Sequence, residues 1–295
     1  MEFVYHVVDV FTQTLLEGNA LAVFPDGRQL QDKTMQDIAR EFNLSETAFV
    51  VPSTRKECAA RIRIFTPNYE MLFAGHPTIG SSYVIQQTGL IPKGEPAFAL
   101  EEKVGKVDVR IEAGPDPMIW LQTPTITKGS SYARADCAIA LELSEADLIP
   151  GVPCELWTAG NPNIFVAVRD KAAVDRAWVD PVKFRALSPP ADGLNCLFVF
   201  APTPEGAYSR MFAPEHGIIE DPATGSATGP LAAFMMAHGL ASRADGTRFV
   251  SEQGTKMGRR SFLHAFVHGE NGADGIEVGG HVTPLARATM SLDRF

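Results

Sequence analysis

The stretch Glu220-Asp221-Pro222-Ala223-Thr224-Gly225-Ser226-Ala227-Thr228-Gly229-Pro230 decides how this chain reads. It is rich in turn formers and hydroxyls, and it opens onto Leu231 to His238, an apolar run that stops at Gly239. Ser226 or Thr228 is the expected cap of a helix here, Pro230 suits the first turn and Gly239 suits the C-terminal stop. A helix start of this kind offers unpaired backbone N–H groups and the positive end of a dipole, both of which attract anions. Taken alone, the stretch reads as a capped core helix.

The same pattern occurs earlier in the chain. Gly75-His76-Pro77-Thr78 opens a second apolar run closed by Gly89-Leu90, and Gly225-Ser226-Ala227-Thr228 opens the run closed by Gly239-Leu240, at an offset of 150. Arg63-Ile64-Phe65-Thr66-Pro67 matches Arg210-Met211-Phe212-Ala213-Pro214 at 147, and Gly18-Asn19 matches Gly160-Asn161-Pro162 at 142. Matches in one order and at nearly one offset indicate an internal duplication. Two like halves can face each other with two helix N-termini aimed into one cleft. The expected halves are residues 1–122 with 282–295, and residues 123–281.

A length of 295 residues suits two domains of ordinary size. With 45% apolar and 21% charged residues the composition is that of a globular protein. A net charge of −9 argues against a nucleic-acid backbone as partner but leaves room for a small anionic substrate at a locally positive site. No apolar run approaches the roughly 20 residues of a membrane span. The N-terminus lacks a basic segment followed by an apolar one, so no signal peptide is read. Cys58, Cys137, Cys154 and Cys196 are scattered without a C-x-x-C. Reduced, mostly buried thiols and a cytoplasmic setting are expected.

Along the chain, Phe3 to Phe11, Leu21 to Phe24, Ala48 to Val51 and Ala60 to Phe65 read as strands. Asp32 to Phe42 carries Met35, Ile38, Ala39 and Phe42 at helical spacing, and Asn43 is a natural stop. Glu46 falls where that helix hands over to a strand, a place that can aim one side chain into a cleft; by itself it reads as a solvated loop carboxylate. His76, at a helix N-terminus, is expected to be neutral because the dipole disfavours its charged form. A capping or packing histidine is the plainer reading. Glu70 is expected to bond to its own turn. Further strands are read at Ala97 to Leu100, Gly105 to Ile111 and Met118 to Leu121, with a tight turn at Gly114 to Pro117. Thr123 to Ser131 is read as a crossover, followed by short helical pieces at Asp136 to Leu143 and Glu145 to Leu148. The second half shows strands at Glu155 to Thr158, Ile164 to Val168, Gly193 to Ala201, Tyr208 to Phe212, Arg248 to Ser251, Ser261 to His268 and Gly275 to Gly280, and a short helix at Val182 to Leu187. Ala286 to Leu292 reads as a last strand returning to the first half.

His264 and His268 would share one face of a strand, but no third ligand joins them, so no metal site is read. A G-x-S-x-G elbow, a P-loop and a dinucleotide fingerprint are all missing. Acid/base chemistry without a cofactor is the enzymatic class that remains.

Together, Gly18-Asn19-Ala20-Leu21-Ala22-Val23-Phe24, Asn43-Leu44-Ser45-Glu46-Thr47, Arg63 to Pro67, Phe73-Ala74-Gly75-His76-Pro77, and Arg210-Met211-Phe212 with Glu220 to Ala227 resemble the PhzF-like proteins of phenazine biosynthesis. The family's first motif usually reads G-N-P; position 20 here is alanine, a departure that bears on a turn. The resemblance implies a diaminopimelate epimerase-like α+β fold of two similar halves, each a curved, mostly antiparallel sheet wrapped around a central helix. It implies a cofactor-independent isomerase whose prototype substrate is trans-2,3-dihydro-3-hydroxyanthranilate, with the glutamate of N-L-S-E moving the proton. That glutamate is Glu46. Ser45, Gly75, His76, Asp221, Gly225 and Ser226 are the matching cleft residues. Related epimerases and racemases use a cysteine at each helix N-terminus, and no cysteine of this sequence lies near those motifs.

The resulting expectation is an isomerase in which Glu46, His76 and Asp221 act on the proton while Ser45, Gly75, Gly225 and Ser226 bind a small carboxylate-bearing substrate. A buried Glu46 would have a raised pKa suited to a proton shuttle. No metal, nucleic acid or membrane enters the reading, and a homodimer is the default assembly. Two alternatives stand beside it: an epimerase or racemase with non-thiol bases, and a binding protein of the same fold without turnover.

Overall fold

A computed structural model describes residues 1–114, 116–189, 193 and 195–292. Pro115 of the expected Gly114 to Pro117 turn, Leu194 of the expected Gly193 to Ala201 strand and the last three residues of the first expected half lie outside the described residues. The chain separates into two compact units, 1–122 with 278–295, and 123–277.

The first unit runs β1 (Glu2–Val10), β2 (Asn19–Phe24), α1 (Asp32–Phe42), β3 (Glu46–Val51), β4 (Ala60–Phe65), α2 (Gly75–Gln87), β5 (Ala97–Glu102), β6 (Gly105–Glu112) and β7 (Met118–Gln122). The second runs β8 (Thr127–Tyr132), α3 (Arg134–Ala140), β9 (Cys154–Thr158), β10 (Pro162–Ala167), α4 (Lys171–Arg176), α5 (Pro181–Leu187), β11 (Cys196–Thr203), β12 (Gly206–Ala213), β13 (Ile218–Asp221), α6 (Gly225–Ala237), β14 (Arg248–Gln253), β15 (Ser261–His268) and the start of β16 (Gly275–Gly280), which passes into the first unit at Val278. The chain then returns as β17 (Val282–Ser291), which pairs antiparallel with β1 inside the first unit.

The duplication is written in strand direction. β1/β2 is antiparallel, β2/β3 parallel, β3/β4 antiparallel, β4/β5 parallel and β5/β6 antiparallel. From β9 the same sequence recurs: β9/β10 antiparallel, β10/β11 parallel, β11/β12 antiparallel, β12/β14 parallel and β14/β15 antiparallel. Each unit is thus an α+β layer with a mostly antiparallel sheet.

Inside the curve of each sheet lies one helix buried on nearly all sides. In α2, Gly75 to Ser82 and Val84 to Gln86 are buried; in α6, Gly225 to Ala232 and Phe234 to Met236 are. Such helices carry no polar face, because sheet surrounds them rather than water. α2 packs on strands from β1 and β17 through to β7. The approach is close: a Cβ at Gly80 would come within 2.6 Å of the Leu21 side chain and 2.9 Å of Val10, so any larger residue there must displace core side chains between helix and sheet. In the second unit Phe234 of α6 lies 5.6 Å from Phe165 and 5.8 Å from Phe200, at the centre of an aromatic core.

Some expectations change. α6 starts at Gly225, so its N-cap is Thr224 rather than Ser226 or Thr228, and Pro230 sits inside the helix, where it cannot donate to the Ser226 carbonyl. Thr228 instead turns its hydroxyl back to the Thr224 carbonyl at 3.1 Å. The crossover read at Thr123 to Ser131 holds a strand, β8, and α4 and β13 are additional elements. Glu46 opens β3 rather than ending a loop, and Glu70 binds Arg63 through two contacts of 2.8 and 3.0 Å rather than its turn.

Candidate active site

In the first unit, the left-handed Asn43 ends α1, and Leu44 and Ser45 bring the chain to β3 within two residues. Glu46 enters β3 opposite Leu21 of β2 and is 8% exposed, which removes the solvated-carboxylate reading. Ser45 beside it is half-buried. Gly75 and His76 are the first two residues of α2 and both are buried. His76 Nε2 lies 3.2 Å from Glu46 Oε2, at a distance for an ion pair but off the line of a hydrogen bond. On the other side of the ring, the Asn19 amide Nδ2 is 3.4 Å from Nδ1. An amide NH2 only donates, so Nδ1 accepts and the ring proton sits on Nε2, toward Glu46. Burial pushes the His76 pKa down to about 3, so the ring is neutral at any ordinary pH.

The second unit repeats this arrangement with different chemistry. Asn161 of the second Gly-Asn donates through Nδ2 to Ser226 Oγ at 3.1 Å, as Asn19 does to His76. Gly225 and Ser226 open α6, and Asp221 closes β13. The Asp221 carboxylate accepts the Thr224 hydroxyl at 2.7 Å, and its main-chain carbonyl accepts Gln253 Nε2 at 2.8 Å. The residue that occupies the place of Glu46 is Cys196: it opens β11 opposite Asn163, two residues past Asn161, as Glu46 opens β3 opposite Leu21, two past Asn19. Sequence distance hid this, since Cys196 lies 25 residues before Asp221 along the chain, whereas the fold brings it within the field of that carboxylate. Burial first, and Asp221 second, push its thiol up to about 12, so it is not a thiolate base.

Glu46 and His76 therefore meet in the first unit, with Ser45 and Gly75 adjoining them in sequence. Asp221, Gly225 and Ser226 group in the second. The motif reading overlooked Asn19 and Asn161 as site residues, although the repeated Gly-Asn was their signal. It also overlooked Thr224, which stands inside the opening stretch, and Gln253, which no motif marks. Among the described residues no group of three or more His, Cys, Asp or Glu side chains could hold a metal ion. His268 instead pairs with Glu277 at 3.0 Å.

The profile of the PhzC-PhzF family, described as Phenazine biosynthesis-like protein, matches residues 8–288. This chain belongs to that family. A PhzC-PhzF relative from Pseudomonas chlororaphis, named trans-2,3-dihydro-3-hydroxyanthranilate isomerase, is 35% identical over 98% of this chain and 99% of its own. A solved PhzF family protein from Bacillus anthracis superposes with a TM-score of 0.88 at 21% identity, covering 99% of this chain and 100% of that one. A probable proline racemase from Agrobacterium radiobacter K84 superposes with a TM-score of 0.68 at 14% identity, over 99% and 94%. These two likenesses concern the fold, which is that of the PhzF and racemase group. Curated relatives are named isomerases, and this PhzC-PhzF chain is an isomerase.

Proposed function

We propose that this isomerase moves a proton between two carbons of a small carboxylate-bearing ring, with trans-2,3-dihydro-3-hydroxyanthranilate as the first substrate to test. The observation that carries the reading is the buried Glu46 carboxyl 3.2 Å from a neutral, buried His76 at the start of α2. Glu46, as carboxylate, takes the proton from one carbon; the C–H electrons enter the substrate's conjugated system; the same carboxylic acid returns the proton to a second carbon. No atom is gained or lost, so the side chains suffice and no cofactor is called on. His76 turns Nε2 toward the carboxylate at 3.2 Å and, being neutral, does not compete for the proton. The N–H groups at Gly75-His76 supply a positive helix end for an anionic group, as those at Gly225-Ser226 do in the second unit. Ser45 is proposed to line the substrate beside Glu46.

The relatives that bear the name of this substrate's isomerase, at 35% and 34% identity over nearly the whole chain, support the substrate class. Proton NMR in D2O tests it with the wild type and Glu46→Gln. Rearrangement of the ring substrate by the wild type alone, with binding kept in the variant, is expected. Undiminished turnover in Glu46→Gln would remove Glu46 from the chemistry. Exchange with inversion at the Cα of an amino acid, without ring rearrangement, would replace isomerisation by epimerisation.

A further inference from the structure

The repeat places two residues under the two central helices that no motif marks. β5 follows α2 and runs parallel to β4; β14 follows α6 and runs parallel to β12. The last residue of β5 is Glu102 and the last of β14 is Gln253. Gln253 holds the start of α6 from below. Its Oε1 accepts the backbone N–H of the N-cap Thr224 at 3.2 Å, and its Nε2 donates to the Thr224 hydroxyl at 2.9 Å and the Asp221 carbonyl at 2.8 Å. One neutral amide accepts and donates at once.

Glu102 meets the same part of α2. The N-cap here is Ala74, and its backbone N–H donates toward the Glu102 carboxyl. Glu102 Oε1 lies 2.5 Å from Thr78 Oγ, and the same Thr78 Oγ lies 2.7 Å from the Ala74 carbonyl oxygen. A threonine hydroxyl has one proton, and a carbonyl only accepts. Both contacts are hydrogen bonds only if the carboxyl brings a proton of its own. Glu102 Oε2 is buried with no hydrogen-bond partner among the described residues, a poor setting for a carboxylate and a tolerable one for an acid.

We propose that Glu102 is carried as the neutral acid, donates its proton to Thr78 Oγ, and acts as a positioning residue that fixes the first turn of α2 and thereby holds the His76 ring against Glu46. It is the acid counterpart of Gln253. The latch stands on its own geometry; only its consequence for turnover rests on the function proposed above.

The surroundings favour this state. The neighbouring charges face other partners: Glu101 takes the Ser53 and Thr54 hydroxyls, Lys103 lies 3.6 Å from Glu70, and Lys106 lies 2.6 Å from Asp108. Arg61 of β4 reaches Glu101 at 3.9 Å, and in α2 the nearby titratable group is His76, itself neutral. Burial pushes the Glu102 carboxyl up to about 8, against the smaller opposing pull of the Ala74 N–H.

The test compares the wild type with Glu102→Gln and Glu102→Ala, reading the Glu102 13Cδ and His76 ring 15N signals and the melting temperature against pH. The expected Glu102 titration lies near 8 rather than near the usual 4.5. Folded protein then keeps a proton that unfolded chain has released, so the wild type loses melting temperature relative to Glu102→Gln as pH rises between those two values, and the gap levels off above the upper one. In Glu102→Gln the His76 signals stay in place and turnover stays within about twofold; in Glu102→Ala they move and turnover falls about tenfold to a hundredfold, the range for a displaced catalytic group. Titration near 4.5, or Glu102→Gln moving His76 as far as Glu102→Ala does, would overturn the proposal. If Glu102→Ala does not fold, the carboxyl titration and the Gln comparison still decide. A wild type without turnover would sink the functional reading, while the spectra would still test the latch.

Discussion

At the scale of single residues, the sequence expectation of a neutral His76 rested on the helix dipole, yet the dominant cause in the fold is loss of water. A dipole end is worth about 0.3–1 kcal/mol at an exposed site. Burial that takes an imidazole from its usual 6.5 to about 3 is worth several times that, at roughly 1.4 kcal/mol per pKa unit. The ring therefore serves as a fixed donor, with Asn19 on Nδ1 and the proton on Nε2. The 15N shifts of His76 are expected to report the Nε2–H tautomer from pH 7 down to about pH 4, with no protonation step near the usual 6.5. A step at that pH would mean that water reaches the ring, and His76 would become a candidate proton carrier in its own right.

At the scale of elements, the repeat permits a comparison inside one chain. Arg210 of β12 grips Glu220 of β13 through two contacts of 2.8 Å, with side chains 5% and 8% exposed, and also donates to the Ala177 carbonyl. Arg63 of β4 grips Glu70 in the same way, but with 15% and 19% exposure and with Asp32 and Lys103 sharing the charge. Removing one partner of a buried pair strands the other. Arg210→Ala is expected to cost about 3–5 kcal/mol, and Arg63→Ala about 1–3 kcal/mol, since water can recover part of the loss at the second site. Urea unfolding of both variants checks the order; an equal or larger cost at Arg63 would contradict it. The same elements show what the sequence could tell. α1 was readable at its observed bounds because Met35, Ile38 and Ala39 mark a face and Asn43 marks the stop. β8 was not, because its Thr127-Lys128-Gly129-Ser130-Ser131 stretch is exposed throughout and has no apolar alternation. β13 has four residues, too few to show a period. In the candidate site, Glu46 and His76 were marked by their motifs, whereas Gln253 and Glu102 act through contacts with residues 29 and 24 positions away that no local spacing encodes.

At the scale of the whole molecule, three buried groups contribute to the pH dependence of stability with different signs. His76 falls from 6.5 to about 3. Across that window the unfolded chain holds the extra proton, so stability rises with pH. Glu102 rises from 4.5 to about 8, the folded chain holds the extra proton across that window, and stability falls with pH. Burial would raise Glu101 too, but hydrogen bonds from Ser53 and Thr54 outweigh it and hold this acid at about 2, so its contribution is present above 4.5 and is lost as pH falls toward 2. Between the 4.5 and 6.5 limits the His76 and Glu102 slopes oppose each other, each at up to about 1.4 kcal/mol per pH unit. His6, lowered by burial and by Arg287, tilts the balance slightly toward the histidine sign. The stability curve is therefore expected to be nearly flat in that interval, to fall below it as Glu101 and His76 act together, and to fall above it as Glu102 acts alone. His76→Gln removes one side of the balance and keeps a donor near the place of Nε2. In that variant stability should climb as pH is lowered from 6.5 to 4.5, moving the optimum toward the acid end of the interval. Urea unfolding at a series of pH values gives the measurement. A plateau that survives His76→Gln unchanged would show that the imidazole and the Glu102 carboxyl do not set it.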